Sequence, residues 1–334
     1  MASIHTVLRR SGLALCLACL TGASIPAMAQ ADAAGKYPER AIRMVVPFAA
    51  GGTSDVLARL IGEGLGSAIG QQVVVENRPG ANGNIGTGSV ANAAPDGYTL
   101  VLVADGTVAI NPSLYPTLTF DPEKDFAPVS RVALVPLIVV ANPQLKADTL
   151  QELVALSKQP SSDLYFSSAG RGSTGHLVGE LIKNRSGLQM THVPYKGGGQ
   201  AVNDVVAGEV SVLVSALATV GPFIQAGKLK SIAVTSKDRV GSASAVPTVA
   251  ESGIDGFDVS SWYGIMAPAG TPPAIIDKLN ATLVQVLAKP ELKERLETLG
   301  ISPIGDSPQE FADALHADLA RWADVVKSAN ISAQ

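Results

Sequence analysis

Cysteine is almost missing: the chain has two in 334 residues, Cys16 and Cys19, both within its first twenty positions. Beyond them there is no thiol, which removes disulfide frameworks, cysteine metal sites and cysteine nucleophiles from consideration. Histidine is scarce too. His176, His192 and His316 lie far apart with no His-Glu-x-x-His spacing, so neither a metal nor another cofactor is expected. Charged residues are only 16% of the chain, 25 Lys and Arg against 29 Asp and Glu, and no basic block occurs. That balance argues against a nucleic-acid partner or an anionic membrane surface. After residue 30 no apolar run approaches the ~18 residues needed to cross a bilayer. The longest, Val132 to Ala141, is interrupted by Pro136. No repeat of solenoid length is visible. What the chain does have is apolar content, 46%, enough for packed cores and too much for a disordered polymer. Its length suggests two domains at ~150 residues each.

Met1 to Gln30 reads as an export signal. Arg9 and Arg10 precede a short apolar stretch, Leu13 to Leu20, and Ala27-Met28-Ala29 supplies the small-x-small cleavage site. Cleavage after residue 29 removes both cysteines and His5, and loss of the two arginines takes the net charge from −4 to −6. The mature chain of roughly 300 residues is then expected to be soluble, outside the cytoplasm and held by its core alone.

The mature chain alternates strand and helix patterns. Ile42 to Val46, Gln72 to Glu76 and Tyr98 to Ala104 read as strands. Between the first two, Val56, Leu57, Leu60, Ile61, Leu65 and Ile69 recur at helical spacing, with Thr53, Ser54 or Asp55 as N-cap. β-α-β order implies parallel strands. Pro128 to Ala141 reads as one long strand passing between domains. A second α/β set follows, with strands at Leu164 to Ser167, Met190 to Val193, Val210 to Val214 and Ile232 to Thr235. Trp262 to Ala267 is a returning strand, and two helices close the chain, capped by Thr271 and by Ser307 with Glu310. The fold class expected is α/β with two lobes: residues 30–130 with 256–334, and 131–255. Hinge strands fall near 131–140 and 255–265, the geometry of a hinge-closing binder.

Catalytic signatures are thin. No Gly-x-Ser-x-Gly elbow and no Walker sequence occur. Gly170 to Gly175 matches a dinucleotide Gly-x-Gly-x-x-Gly, yet the carboxylate expected about twenty residues on is missing around Gln189 to Val193. Ser173 and His176 are neighbours without an evident Asp partner, which leaves a Ser-dependent hydrolase as the alternative reading. Two strand-to-helix loops rich in small residues stand out, Ala49 to Ser54 and Ser168 to Thr174. Glycine lets main chain approach a ligand, and a helix start offers about four free N–H groups. One such loop from each lobe would line a cleft with donors suited to a carboxylate. Singly, each loop could as well be an ordinary α/β turn with Ser and Thr as caps.

The ordered set Tyr37-Pro38-Glu39-Arg40, Val45 to Asp55 (VVPFAAGGTSD), Glu76 to Ala81 (ENRPGA), Pro95 to Leu100 (PDGYTL), Asp125 to Val129 (DFAPV), Ser168 to Ser173 (SAGRGS), Val193 to Gly198 (VPYKGG) and Trp262 to Pro272 (WYGIMAPAGTP) resembles the solute-binding proteins of tripartite tricarboxylate transporters, the Bug family. The resemblance spans the mature chain. It implies a type II periplasmic-binding-protein (Venus-flytrap) fold, capture of a small organic acid between lobes, and delivery to a membrane permease by a monomeric binder that is not an enzyme. By the same resemblance, Phe48, Ala49, Gly51, Gly52, Thr53 and Asp55 form one side of a carboxylate cradle. Ser168, Ala169, Gly170, Arg171, Gly172, Ser173 and Thr174 face it, while Asp105, Gly106 and Thr107, Tyr195 with Lys196 and Gly197, and Ser215 with Ala216 line the rest. Asp55 has two readings, a ligand or water contact and a helix cap. Asp204 is either an amine contact or a solvated charge. Arg171 is either the partner of a distal carboxylate or a surface charge. Service to a sensor rather than to transport remains a further alternative.

Overall fold

The computed structural model describes residues 36–48, 50–160, 162–195 and 198–331. The expected signal peptide and both cysteines lie outside the described residues, as do Ala49, Lys196 and Gly197.

Valine-rich segments build the first strands: β1 (Ile42–Val46), β2 (Val73–Asn77) and β3 (Thr99–Ala104). β1 pairs in parallel with both β2 and β3, as the alternating order requires. The connections carry α1 (Thr53–Ile69) and α2 (Asn84–Ala91). Leu57, Ile61 and Leu65 of the expected face of α1 are buried, joined by Ala58, while Val56 is exposed. After β3 the chain makes a π-helical turn, Gly106–Ile110, which runs into a short α3 (Asn111–Leu114).

β4 (Phe126–Ala141) spans 16 residues and has two sets of partners. From Phe126 to Pro136 it runs antiparallel to β9 (Ser260–Pro268). From Leu137 to Ala141 it pairs instead with β7 (Val212–Ala216) and β8 (Lys230–Val234). The change of partner falls at Pro136, a residue with no N–H to donate to a ladder. β9 pairs antiparallel with β3, joining the first α/β set to the long strand. Beyond β7 lie β5 (Tyr165–Ser168) and β6 (Thr191–Pro194), both in parallel register. The sheet order is therefore β2-β1-β3-β9-β4-β7-β5-β6, with β8 and a short β10 (Ser302–Pro303) also pairing β4. Residues Pro38–Gln334 form one compact unit.

Side chains on β4 alternate between two cores. Leu137, Val139 and Ala141 join the larger cluster with Phe166, Trp262 and Phe311. Ile138 and Val140 join a second one with residues of α6 (Gly198–Ala207), β7 and α7 (Leu217–Gln225). The remaining helices are α4 (Leu150–Ser157), α5 (Thr174–Ser186), α8 (Pro273–Leu287), α9 (Pro290–Thr298) and α10 (Pro308–Ser328). Ser307 and Glu310 form the expected capping box at α10.

Several local expectations need correction. α1 begins after Gly52, which holds the N-cap position without a side-chain bond, so Thr53, Ser54 and Asp55 are its first residues. Thr271 does not cap α8. Pro272 occupies that position, and the Thr271 hydroxyl donates to the carbonyl of Pro268 at 2.7 Å. Among the described residues three helices rather than two follow β9, and α7, which carries Pro222 inside it, was not among the expected elements.

Gly264 in β9 shows how tightly the returning strand is packed. A Cβ there would stand 2.3 Å from Cζ of Phe311, whose ring meets Trp262 edge-on at 5.3 Å. Gly264→Ala is expected to lower stability by about 1–3 kcal/mol, the cost of overpacking a dense core, measured by denaturant unfolding against the wild type.

Candidate functional site

The loop after β1 is tied down by its own chain. Gly51 has φ +83°, a left-handed conformation that favours glycine, with open space where a Cβ would stand. Its N–H donates to Oδ2 of Asp55 at 3.0 Å. Arg59 grips the same carboxylate with two bonds, Nε to Oδ2 at 3.1 Å and Nη2 to Oδ1 at 2.9 Å. Those Arg59 bonds, then the Gly51 N–H, hold the Asp55 carboxyl down at about 2. Asn77 at the end of β2 donates to the carbonyl of Phe48 at 3.1 Å, fixing the loop's other end.

The loop after β5 is also self-bonded. Ser173 caps α5: its Oγ accepts the N–H of His176 at 3.3 Å and donates to the carbonyl of Gly170 at 2.8 Å. Gly172 donates its N–H to Nδ1 of His176 at 3.0 Å. The His176 ring stacks on His192 at 3.7 Å, and Nε2 of His192 lies 2.8 Å from Oγ of Ser168. Burial is the leading cause that pushes both imidazoles down, His176 to about 4 and His192 to about 3. Gly175 is where close approach demands glycine. A Cβ there would meet the carbonyl oxygen of Val214 in β7 at 2.3 Å.

These loops border a cavity of about 300 Å³, at the small end for ligand sites. From the β1–β3 side it is lined by Phe48, Thr53, Asn82, Asp105, Gly106 and Thr107, with Ser261 and Tyr263 of β9 beside them. From the β5–β7 side come Ala169, Ser173, Thr174, Gly175, Ser215 and Ala216, with Gly198 and Thr219. Val135 and Leu137 of β4 contribute apolar wall on either side of the partner change. No Lys, Arg or His lines it among the described residues. The lining is hydroxyls, small residues and main chain, with one carboxyl group.

That carboxyl is Asp105, which is 2% exposed. Its Oδ1 accepts the Ser261 hydroxyl at 2.7 Å, and Thr174 stands at 3.4 Å from Oδ2. Burial raises it to about 6 against the pull of those donors and the Gly106 N–H. Asn82 is held at φ +52° by Thr107, whose hydroxyl donates to its carbonyl at 3.1 Å, and by its amide bond to Asn111 at 2.8 Å.

Residues 57–331 match the family described as the tripartite tricarboxylate transporter family receptor, TctC. The chain belongs to the TctC family. It is 39% identical to protein BugT of Bordetella pertussis over 306 residues, 91% of this chain and 93% of that one. Among solved structures, Rpa4515 of R. palustris with adipate superposes with a TM-score of 0.79 at 37% identity, covering 89% of this chain and 99% of that chain. MatC (Rpa3494) from Rhodopseudomonas palustris with bound malate gives 0.74 at 33% identity, covering 87% and 100%. The fold of this TctC protein is thus the two-lobed α/β binding-protein fold with a cleft between lobes.

Of the residues expected at the site, the TctC cavity gathers Phe48, Thr53, Asp105, Gly106, Thr107, Ala169, Ser173, Thr174, Ser215 and Ala216. Gly51, Gly52, Asp55, Ser168, Gly170 and Gly172 shape the loops without lining it. Asp55 turns to Gly51 and Arg59 rather than to the cavity. Arg171 is exposed and off the cavity. Tyr195 donates its hydroxyl to Oδ2 of Asp204 at 2.6 Å, and both stand outside the lining. Burial, then Asp204, pushes the Tyr195 hydroxyl up to about 12. Asn82, Ser261, Tyr263, Thr219 and Gly198 were missed. Ser261 and Tyr263 were findable, being alternate residues on one face of a strand. The Ser173–His176 pair of the hydrolase alternative is not assembled. Ser173 reaches only the main-chain N–H of His176, and the Nδ1 of that ring is occupied by Gly172.

The stacked histidines carry a pH signature. Unfolded histidines take protons near 6.5, whereas these wait until about 4 and 3. Between those values the unfolded chain binds more protons, so stability falls as pH drops from about 6.5 towards 4. Asp105, raised in the folded state, acts in the opposite sense over about 6 to 4. In His192→Phe, which keeps an aromatic ring against Phe166, the acid-side loss of unfolding free energy should be shallower than in wild type, as read from urea titrations at pH 7, 6, 5 and 4.

Proposed function

We propose that this chain is an exported solute-binding protein that captures a small organic acid and delivers it to the permease of a tripartite tricarboxylate-type transporter. One observation carries the reading: a small cavity lined from both sides of the partner change in β4, by hydroxyls and helix starts and, among the described residues, by no basic side chain. Main-chain N–H groups at the starts of α1 and α5, with Thr53, Ser173 and Thr174, hold one carboxylate of the ligand. Ser215 and Thr107 complete its surroundings.

The lobes run over 30–130 with 256–334, and 131–255, and the cleft closes by bending of β4 and of the segment entering β9. Residues 1–29 direct export, the mature protein works in the periplasm as a monomer, and it performs no chemistry on its ligand. The adipate and malate held by the two neighbours support an acid as cargo.

The test is a thermal-shift screen of refolded protein starting at Gln30, against dicarboxylates, tricarboxylates, amino acids and aromatic acids. A cognate acid at 100-fold over Kd should add about 2.7 kcal/mol, a shift of several degrees. The ligand should be recovered unchanged by mass spectrometry. Folded, ligand-free protein that responds to no acid would sink this function, and turnover abolished by Ser173→Ala would restore the enzyme reading.

A further inference from the structure

Asp105 sits awkwardly in a site for anions. It is the only Asp or Glu lining the cavity, and no Lys, Arg or His lines it among the described residues. A ligand with two carboxylates can place one against main-chain N–H groups. Its second would then share a small buried space with another carboxylate and, among the described lining residues, no cation to separate them, an arrangement that costs heavily at low dielectric. The nearest cation by influence, Arg321 on α10, is bonded to Asp318 and to the carbonyl of Asp258 at 3.3 Å. It lies outside the lining.

Asp105 also has acceptor capacity left over. A carboxylate offers about four lone-pair sites. Ser261 takes one on Oδ1 at 2.7 Å, the Gly106 N–H takes another, and Thr174 stands at a long 3.4 Å from Oδ2. The other groups packed about it are neutral: the hydroxyl of Tyr263 on β9, itself raised by burial, and hydroxyls of Ser261 and Thr174. A ligand cation would satisfy the remaining sites and supply the charge that the wall lacks.

From this geometry we propose that Asp105 is the specificity-determining residue of the cavity, selecting acids that carry an ammonium group and rejecting their plain dicarboxylate counterparts. The inference rests on the binding function argued above and narrows it to amino acids.

Isothermal titration of refolded wild type and Asp105→Asn tests it, with the common L-amino acids and matched desamino acids: aspartate against succinate, glutamate against glutarate. Wild type at pH 7.5 should bind its amino acid at least about tenfold tighter than the desamino partner, the worth of one charge-assisted bond. In Asp105→Asn that ratio should collapse, with the amino acid weakened and the desamino acid strengthened. Lowering the pH to 5 should weaken the amino acid in wild type and not in the variant. Equal or tighter binding of the desamino acid by wild type overturns the inference and leaves the solute-binding function standing, and it needs no variant to fold. A ratio unchanged in folded Asp105→Asn overturns it too. Binding of no acid of either kind overturns both.

Discussion

One strand, β4, is shared by everything that matters in this molecule. Its first eleven residues belong to a ladder with β9, and its last five to ladders with β7 and β8. The walls of the cavity are the ends of strands and the starts of helices on either side of that change. Thr107, Ser261 and Tyr263 hang from the β3–β9 part, and Ser173, Thr174 and Ser215 from the β5–β7 part. Their separation is therefore set by β4. Pro136 stands at the change. It contributes no donor, so neither ladder is interrupted by a bond it fails to make.

The chemistry of the walls follows from a shortage of charge. With 16% charged residues overall and no basic side chain at the cavity among the described residues, the attraction these residues offer an anion falls to main-chain dipoles and hydroxyls. Such groups act only if they are held in place before a ligand arrives. Both loops meet that condition through bonds within the chain, Asp55 to Gly51 and Arg59 on one side, and Ser173, Gly172 and His176 on the other. The glycines divide the labour. Gly51 supplies a left-handed backbone, and Gly175 supplies contact between α5 and β7.

Much of this was legible because it is local. Ser307 and Glu310 bond to each other across three residues, so the motif is visible in the chain. The parallel β1–β3 set follows from alternating patterns and short connections. The family motifs named both loops. Thr271 failed as a cap because the following Pro272 takes the cap position, and α7 was hidden because a proline inside a helix argues against it locally while burial of Leu217 and Val220 favours it. The family motif Asp105-Gly106-Thr107 put Asp105 at the cavity, but whether Asp55 faces it too was not legible. Asp55 and Asp105 both follow strands and both stand at the start of helical turns. Only the partner across space, Arg59 for one and Ser261 for the other, decides which carboxylate is satisfied within its own helix and which is bonded across the cavity.

The Asp55 carboxylate has one more consequence. Held down at about 2, it stays ionised well into acid, so its bonds to Gly51 and Arg59 keep their charge there. The opposite wall rests on imidazoles that stay uncharged only above about 4. The two loops thus answer acid differently: the one before Thr53 is tied by a carboxylate that stays charged, and the one before Thr174 rests on rings that take up protons.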